Sequence, residues 1–115
     1  MFADPGQGDV MDQILKNDAE NLVRQVISTN PGLIGWSKHC RAEMLKDHLI
    51  ANDLLNVLRS GKIRRRGQIQ GETNDFIYRI ETAKIAVVFK FVEFVRGNDS
   101  DLGIKLITCW RKSPG

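Results

Sequence analysis

The sequence predicts an α+β fold in which helices fill the first half of the chain and an antiparallel sheet fills the second. Apolar residues recur at helical spacing between residues 10 and 60, and after Gly61 they alternate or form continuous runs typical of strands. A block of helices followed by a block of strands favours a meandering antiparallel sheet. The 115 residues fit one domain, which we expect at residues 10–112 after a flexible tail at residues 1–9.

Three helices are predicted before Gly61. The first covers about residues 10–28 and ends in a Thr-Asn-Pro-Gly turn. Ser37 is a good N-cap for the second helix, at about residues 38–48. The third begins near residue 51, and Gly61 occupies the position at which a left-handed C-terminal cap is common.

Four strands are predicted after Gly61, with a turn at residues 71–74, a tight connection at residues 82–84 and a polar loop at residues 97–101. The third is almost continuously apolar, as in a central strand buried on both faces. The four are Lys62–Gln70, Asp75–Glu81, Ile85–Val95 and Ile104–Trp110.

Composition places the chain among soluble cytoplasmic proteins. Hydrophobic residues make up 42% and charged residues 27% of the sequence, which is close to the average for globular domains. No run approaches the roughly 18 apolar residues of a membrane helix, and residues 1–13 lack the basic and apolar regions of a signal peptide. We therefore expect a cytoplasmic protein, with no membrane partner, whose Cys40 and Cys109 are reduced thiols.

Charge is distributed unevenly along the chain. Residues 1–36 hold five acidic and two basic side chains, whereas residues 37–115 hold nine acidic and fifteen basic ones. A basic body attracts polyanions, and nucleic acid is the commonest polyanion in a cytosol. A well-solvated surface explains the same excess of charge without a ligand.

Two features of the predicted strands suit a nucleic acid. Lys62, Arg64 and Arg66 share one face of a strand at a spacing of about 6.6 Å, so they can follow successive phosphates. The same row can protect an edge strand from aggregation, and both roles can hold together. Trp110 can stack on a base, although an aromatic residue in a terminal strand is more often part of the core.

Three side chains are candidates for catalysis. His39 follows a helix start, where the helix dipole favours the neutral imidazole that a general base needs. Arg79, on the solvent face of a strand, can clamp a phosphate in a bidentate manner. Lys90 interrupts an apolar run, so it lies at a site or is paired with Glu81 or Glu93. The alternative for His39 is a structural histidine near a helix start that binds its own backbone.

Metal and cofactor chemistry lacks a sequence pattern. His39, Cys40, His48 and Cys109 have suitable ligand types, but their spacing matches no zinc motif. The sequence also lacks a phosphate-binding glycine loop and a Gly-x-Ser-x-Gly nucleophile elbow. We expect neither a metal nor a cofactor.

Several short motifs between residues 33 and 111 resemble a small bacterial domain of the RelE/ParE-like toxin superfamily. The family pattern has Ser or Thr, one residue, His-Ala, a Met five positions after the His, and a Leu-x-x-Gly that ends the next helix. The matching segments are SKHCRAEM at 37–44, LIANDL at 49–54, GKI at 61–63, YR at 78–79 and ITCW at 107–110. Glu43, Asp47, His48 and Ala51 depart from the family's Arg, Arg, Gly and Thr.

The resemblance implies a RelE-like fold with helices on a four-stranded antiparallel sheet. It also implies a metal-independent endonuclease that cleaves messenger RNA and is controlled by an antitoxin or another regulatory protein. In that mechanism His39 would take the proton of the 2′-hydroxyl, while Arg79, with Lys90 or Arg64, would stabilise charge on the phosphate. The alternative is a non-catalytic RelE-like module that inhibits or recruits a protein or nucleic-acid partner.

Overall fold

The computed structural model describes residues 16–64, 68–70 and 75–112. Three helices precede most of the strands, so the predicted α+β order is confirmed. The elements are α1 (Lys16–Thr29), a 3-10 turn (Pro31–Leu33), β1 (Ile34–Trp36), α2 (Lys38–Lys46), α3 (Ala51–Ser60), β2 (Lys62–Ile63), β3 (Gln68–Gln70), β4 (Asp75–Glu81), β5 (Ile85–Arg96) and β6 (Asp99–Arg111). The predicted tail at residues 1–9 and the predicted start of the first helix lie outside the described residues. None of the described helices is long and apolar enough to cross a membrane.

The strands form a mixed sheet in the order β1-β6-β5-β4-β2, and β3 pairs with β4 beside β2. All pairs are antiparallel except that of β1 with β6, in which Ile34 lies opposite Ile104 and Trp36 opposite Leu106. The prediction of a wholly antiparallel four-stranded sheet is therefore wrong at this edge. Strand β1 has only three residues, which are too few for an alternating pattern to indicate a strand. Its partner, β6, lies far along the chain.

The β5–β6 hairpin is longer than predicted. Its connection is a two-residue turn at Gly97-Asn98 in place of the predicted loop at 97–101, and β6 already begins at Asp99. Gly97 has a φ of +60°, which a glycine adopts at little cost in tight hairpin turns. Because this end of the hairpin is largely exposed, polar residues there are as compatible with a strand as with a loop.

One hydrophobic core lies between the helices and one face of the sheet. Tyr78, Phe89 and Phe91 pack against one another with ring centroids 5.3–5.6 Å apart. Alternation along each strand therefore leaves the intervening residues on the side of the sheet that faces away from the helices. Other buried members of the core include Val23, Leu54, Val57, Leu58, Ile80, Val87, Ile104, Leu106 and Cys109.

The end of α3 differs from its predicted left-handed cap. Gly61 has φ −75° and ψ 178°, so its backbone is extended. A side chain is excluded there for a different reason, because a Cβ would lie 2.7 Å from the Val57 carbonyl oxygen and 3.0 Å from that of Glu81. Arg24 of α1 donates to the carbonyl oxygens of Leu58 (3.2 Å) and Gly61 (2.8 Å). These hydrogen bonds satisfy carbonyl oxygens at the C-terminal end of α3. The positive charge of Arg24 also interacts favourably with the negative end of the helix dipole.

The start of α3 offers a test of its capping. Its N-cap is Ile50, one residue before the Ala51 that the sequence pattern aligns with the family's capping Thr. The Asp53 carboxylate accepts from the Ile50 N–H (2.9 Å), while the Ile50 side chain is 64% exposed and makes no cap. We expect Ile50→Thr to raise the free energy of unfolding by about 0.5–1 kcal/mol. Urea denaturation measures this, and Ala51→Thr is the control that should bring no gain; equal effects would contradict the capping assignment.

Candidate nucleic-acid interface

The side of the sheet that faces away from the helices carries a concentration of basic side chains. Arg79, Lys90 and Lys105 follow or precede residues that are buried in the core, so strand alternation directs them to this side. We call it the open face. Its other members from the described strands include Lys62, Glu81, Ala86, Val88, Thr108 and Trp110.

Two lysines lie directly opposite each other on the open face. Lys90 of β5 and Lys105 of β6 are cross-strand partners, and like charges in that position destabilise a sheet. On its other side Lys105 pairs with Gly35 of β1. Gly35 has no side chain, and a Cβ placed on it would lie 4.0 Å from its nearest neighbour. Both lysines therefore add to the positive charge of the open face.

A second group of cations surrounds Glu81 near the β2 edge. Lys112 donates from Nζ to Glu81 Oε1 (2.7 Å), while Arg79 Nη2 lies 3.6 Å and Arg64 Nε 3.8 Å from Glu81 Oε2. The hydrogen bond from Lys112 is the main reason that the pKa of Glu81 lies below its ordinary value; burial opposes the shift, and the nearby charges of Arg79, Lys112 and Arg64 add to it. Three cations around one carboxylate leave a net positive cluster.

Trp110 shares a cross-strand row with this cluster. Glu81 lies opposite Lys62 of β2 on one side and opposite Ala86 of β5 on the other, and Ala86 lies opposite Trp110 of β6. The indole is partly exposed and stands one small residue away from the cations. Aromatic rings beside positive charge are the usual elements of a surface that stacks bases and holds phosphates.

The structure brings together most of the residues that the sequence indicated, but not all. Arg79, Lys90, Lys62 and Trp110 share the open face, and Arg64 reaches it through its ion pair with Glu81. Arg66 lies outside the described residues.

His39 does not join this group. It is exposed on α2, which packs on the core side of β6. The imidazole is therefore separated from Arg79 and Lys90 by the sheet.

Sequence reasoning missed two cations of the open face. Lys105 stands in the alternating run Ile104-Lys105-Leu106, so the period-two pattern contained the signal. Lys112 follows the last strand, and its role depends on a contact with Glu81 that no local pattern shows. The sequence indicated Glu81 only as a partner of Lys90.

Metal ligands do not cluster in the part of the chain that the structure describes. No group of three or more His, Cys, Asp or Glu side chains could hold an ion there. Cys40 and Cys109 are free thiols, both buried.

Comparison of the chain with family models, with curated proteins and with solved structures returns no match. The resemblance to RelE/ParE-like toxins thus stays a prediction that rests on the short motifs.

Proposed function

We propose that the protein binds single-stranded RNA on the open face. The observation that carries the proposal is the position of Arg79, Lys90 and Lys105 on one face of the sheet, turned away from the described helices, that also presents Trp110. Cations on that surface supply the phosphate contacts that dominate nucleic-acid affinity. We propose RNA and not DNA as the ligand because residues 33–111 resemble a family of ribonucleases.

Geometry favours a single strand over a duplex. Side chains on one face of a strand repeat every ~6.6 Å, and neighbouring strands lie ~4.8 Å apart, so the cations can meet successive phosphates of an extended chain. Trp110 needs an unpaired base on which to stack. A labelled single-stranded RNA oligonucleotide, with the same sequence in a duplex as competitor, tests this preference by fluorescence anisotropy.

Cleavage of RNA stays a prediction of the resemblance. A general base must lie within hydrogen-bonding reach of the proton that it removes, and the phosphate must contact the stabilising cations at the same time. His39 lies on the far side of the sheet from Arg79 and Lys90. The arrangement therefore favours the binding module over an endonuclease that uses His39. Control by an antitoxin or another regulatory protein also stays a prediction.

His39→Ala separates the two functions. We expect the variant to bind RNA with an affinity within about twofold of wild type, since removing a side chain outside an interface leaves its phosphate contacts intact. Anisotropy measures binding, and a gel of the same samples detects cleavage. Cleavage by wild type that is lost in His39→Ala, with the melting temperature unchanged, would overturn the binding-module proposal in favour of the ribonuclease.

A further inference from the structure

Two buried thiols meet between α2 and β6. Cys40 lies in the first turn of α2 and Cys109 near the end of β6, and both are 0% exposed. The Cys109 thiol donates to the Cys40 carbonyl oxygen (3.9 Å), and each of the two thiols shifts the pKa of the other. The two residues are thus far apart in the sequence and adjacent in the core.

We propose that Cys40 and Cys109 are a modification site, at which a peroxide converts the two thiols into an intramolecular disulfide. The sequence contains two cysteines, so each has one possible partner within the chain. The site lies in the core on the helix side of the sheet, and the proposal is independent of RNA binding on the open face.

The backbone already holds the two residues close together. Ser37, the N-cap of α2, donates from its backbone N–H to the Leu106 carbonyl oxygen (3.1 Å) and from its hydroxyl to that of Ile107 (2.9 Å). The same hydroxyl oxygen accepts from the Cys40 N–H (3.0 Å). Because the start of α2 is fixed to β6 beside the thiols, rotation of the two side chains supplies much of the approach that a sulfur–sulfur bond needs.

The reaction balances with one peroxide. The Cys40 thiolate attacks a peroxide oxygen, the O–O bond breaks, and the products are a Cys40 sulfenic acid and hydroxide, which takes up the thiol proton as water. The Cys109 sulfur then attacks the sulfenic sulfur. The S–O bond breaks, a second water leaves with the Cys109 proton, and the disulfide forms. Two thiols are oxidised, and one peroxide is reduced to two waters.

The environments of the two thiols assign their roles. Burial raises the pKa of Cys109 to about 12, and the neighbouring Cys40 adds to the shift. Burial also raises the pKa of Cys40, but the hydrogen bond from Cys109 and the charge of Arg41 oppose this. Cys40 is therefore the thiol that attacks peroxide and Cys109 the one that resolves the sulfenic acid. Since both are buried, the rate depends on transient opening of the nine-residue α2.

Treatment of the full chain with hydrogen peroxide tests the proposal. We expect intact mass under denaturing, non-reducing conditions to fall by two hydrogens per chain and peptide mapping to link Cys40 to Cys109. The melting temperature should rise by about 10 °C, because the cross-link closes a long loop, and dithiothreitol should reverse all three changes.

Cys109→Ala is the matched control, in which oxidation should stop at a Cys40 sulfenic acid that dimedone labels. If this variant does not fold, the peptide map of wild type decides alone. Free thiols on both residues after treatment, or a disulfide between two chains, would overturn the proposal.

Discussion

Replacing Lys90 and Lys105 together with alanine is expected to weaken RNA binding about tenfold near physiological salt and to lower the log–log salt slope by about 1.4. Each cation that contacts a phosphate of a single strand releases counterions and contributes about 0.7 to that slope. The two lysines are opposite each other on the open face, so their loss removes two contacts together. A salt titration of binding by fluorescence anisotropy measures both effects. Circular dichroism and urea denaturation of the double variant check that it keeps the fold.

Lys38→Ala with Arg41→Ala is the matched control. Both side chains are exposed on α2, on the helix side of the sheet, and the double variant loses the same two charges. We expect its affinity and salt slope to stay close to those of wild type. Equal weakening by the two double variants would mean that only net charge matters, and no weakening by Lys90→Ala/Lys105→Ala would place the interface elsewhere.

Glu81→Ala is expected to cost about 2–3 kcal/mol of folding free energy and to lower the melting temperature by roughly 10–15 °C. Glu81 is 6% exposed and binds Lys112, Arg79 and Arg64. Breaking a buried ion pair typically costs about 3–5 kcal/mol; the cost is smaller here because the three cations reach water. Urea denaturation measures the change. Glu93→Ala, an exposed carboxylate on β5, should stay within about 0.5 kcal/mol of wild type, and an equal loss in both variants would contradict the assignment.

Glu81→Gln gives the same interaction a pH signature. The pKa of Glu81 is lower in the folded protein than its ordinary value of 4.5, so the unfolded chain binds more protons at this residue between those two values. The stabilisation is complete above the ordinary pKa and is lost as pH falls through the folded pKa. The difference in stability between wild type and Glu81→Gln should therefore shrink as pH is lowered below about 4.5. A difference that stays constant with pH would contradict the ion-pair account.

Local pattern predicted the features of the fold that depend on neighbouring residues. Helical periodicity identified three helices, Ser37 caps α2 as expected, and alternation placed Arg79 outside the core. The features that were missed depend on distant contacts. The parallel pairing of β1, the extended backbone of Gly61 and the early start of β6 are set by what the chain packs against.

The candidate site shows the same division. Alternation was enough to direct Arg79 away from the core, and it could also have identified Lys105. The relation of His39 to those cations depends on which side of the sheet α2 covers, and a helix pattern carries no information about that side. The contact between Lys112 and Glu81 requires that the end of β6 lies near the end of β4. Only the assembled sheet brings these two strand ends together.

The two tryptophans provide the most direct test of RNA binding on the open face, because one lies on each side of the sheet. Trp110 is on the open face, whereas Trp36 packs against the core on the helix side. Titration of the ¹⁵N-labelled protein with a single-stranded RNA oligonucleotide, followed by NMR, reports on both indole N–H signals separately. We predict a saturable shift of the Trp110 signal with the Trp36 signal nearly unchanged. Saturable binding that moves Trp36 and leaves Trp110 in place would contradict the account.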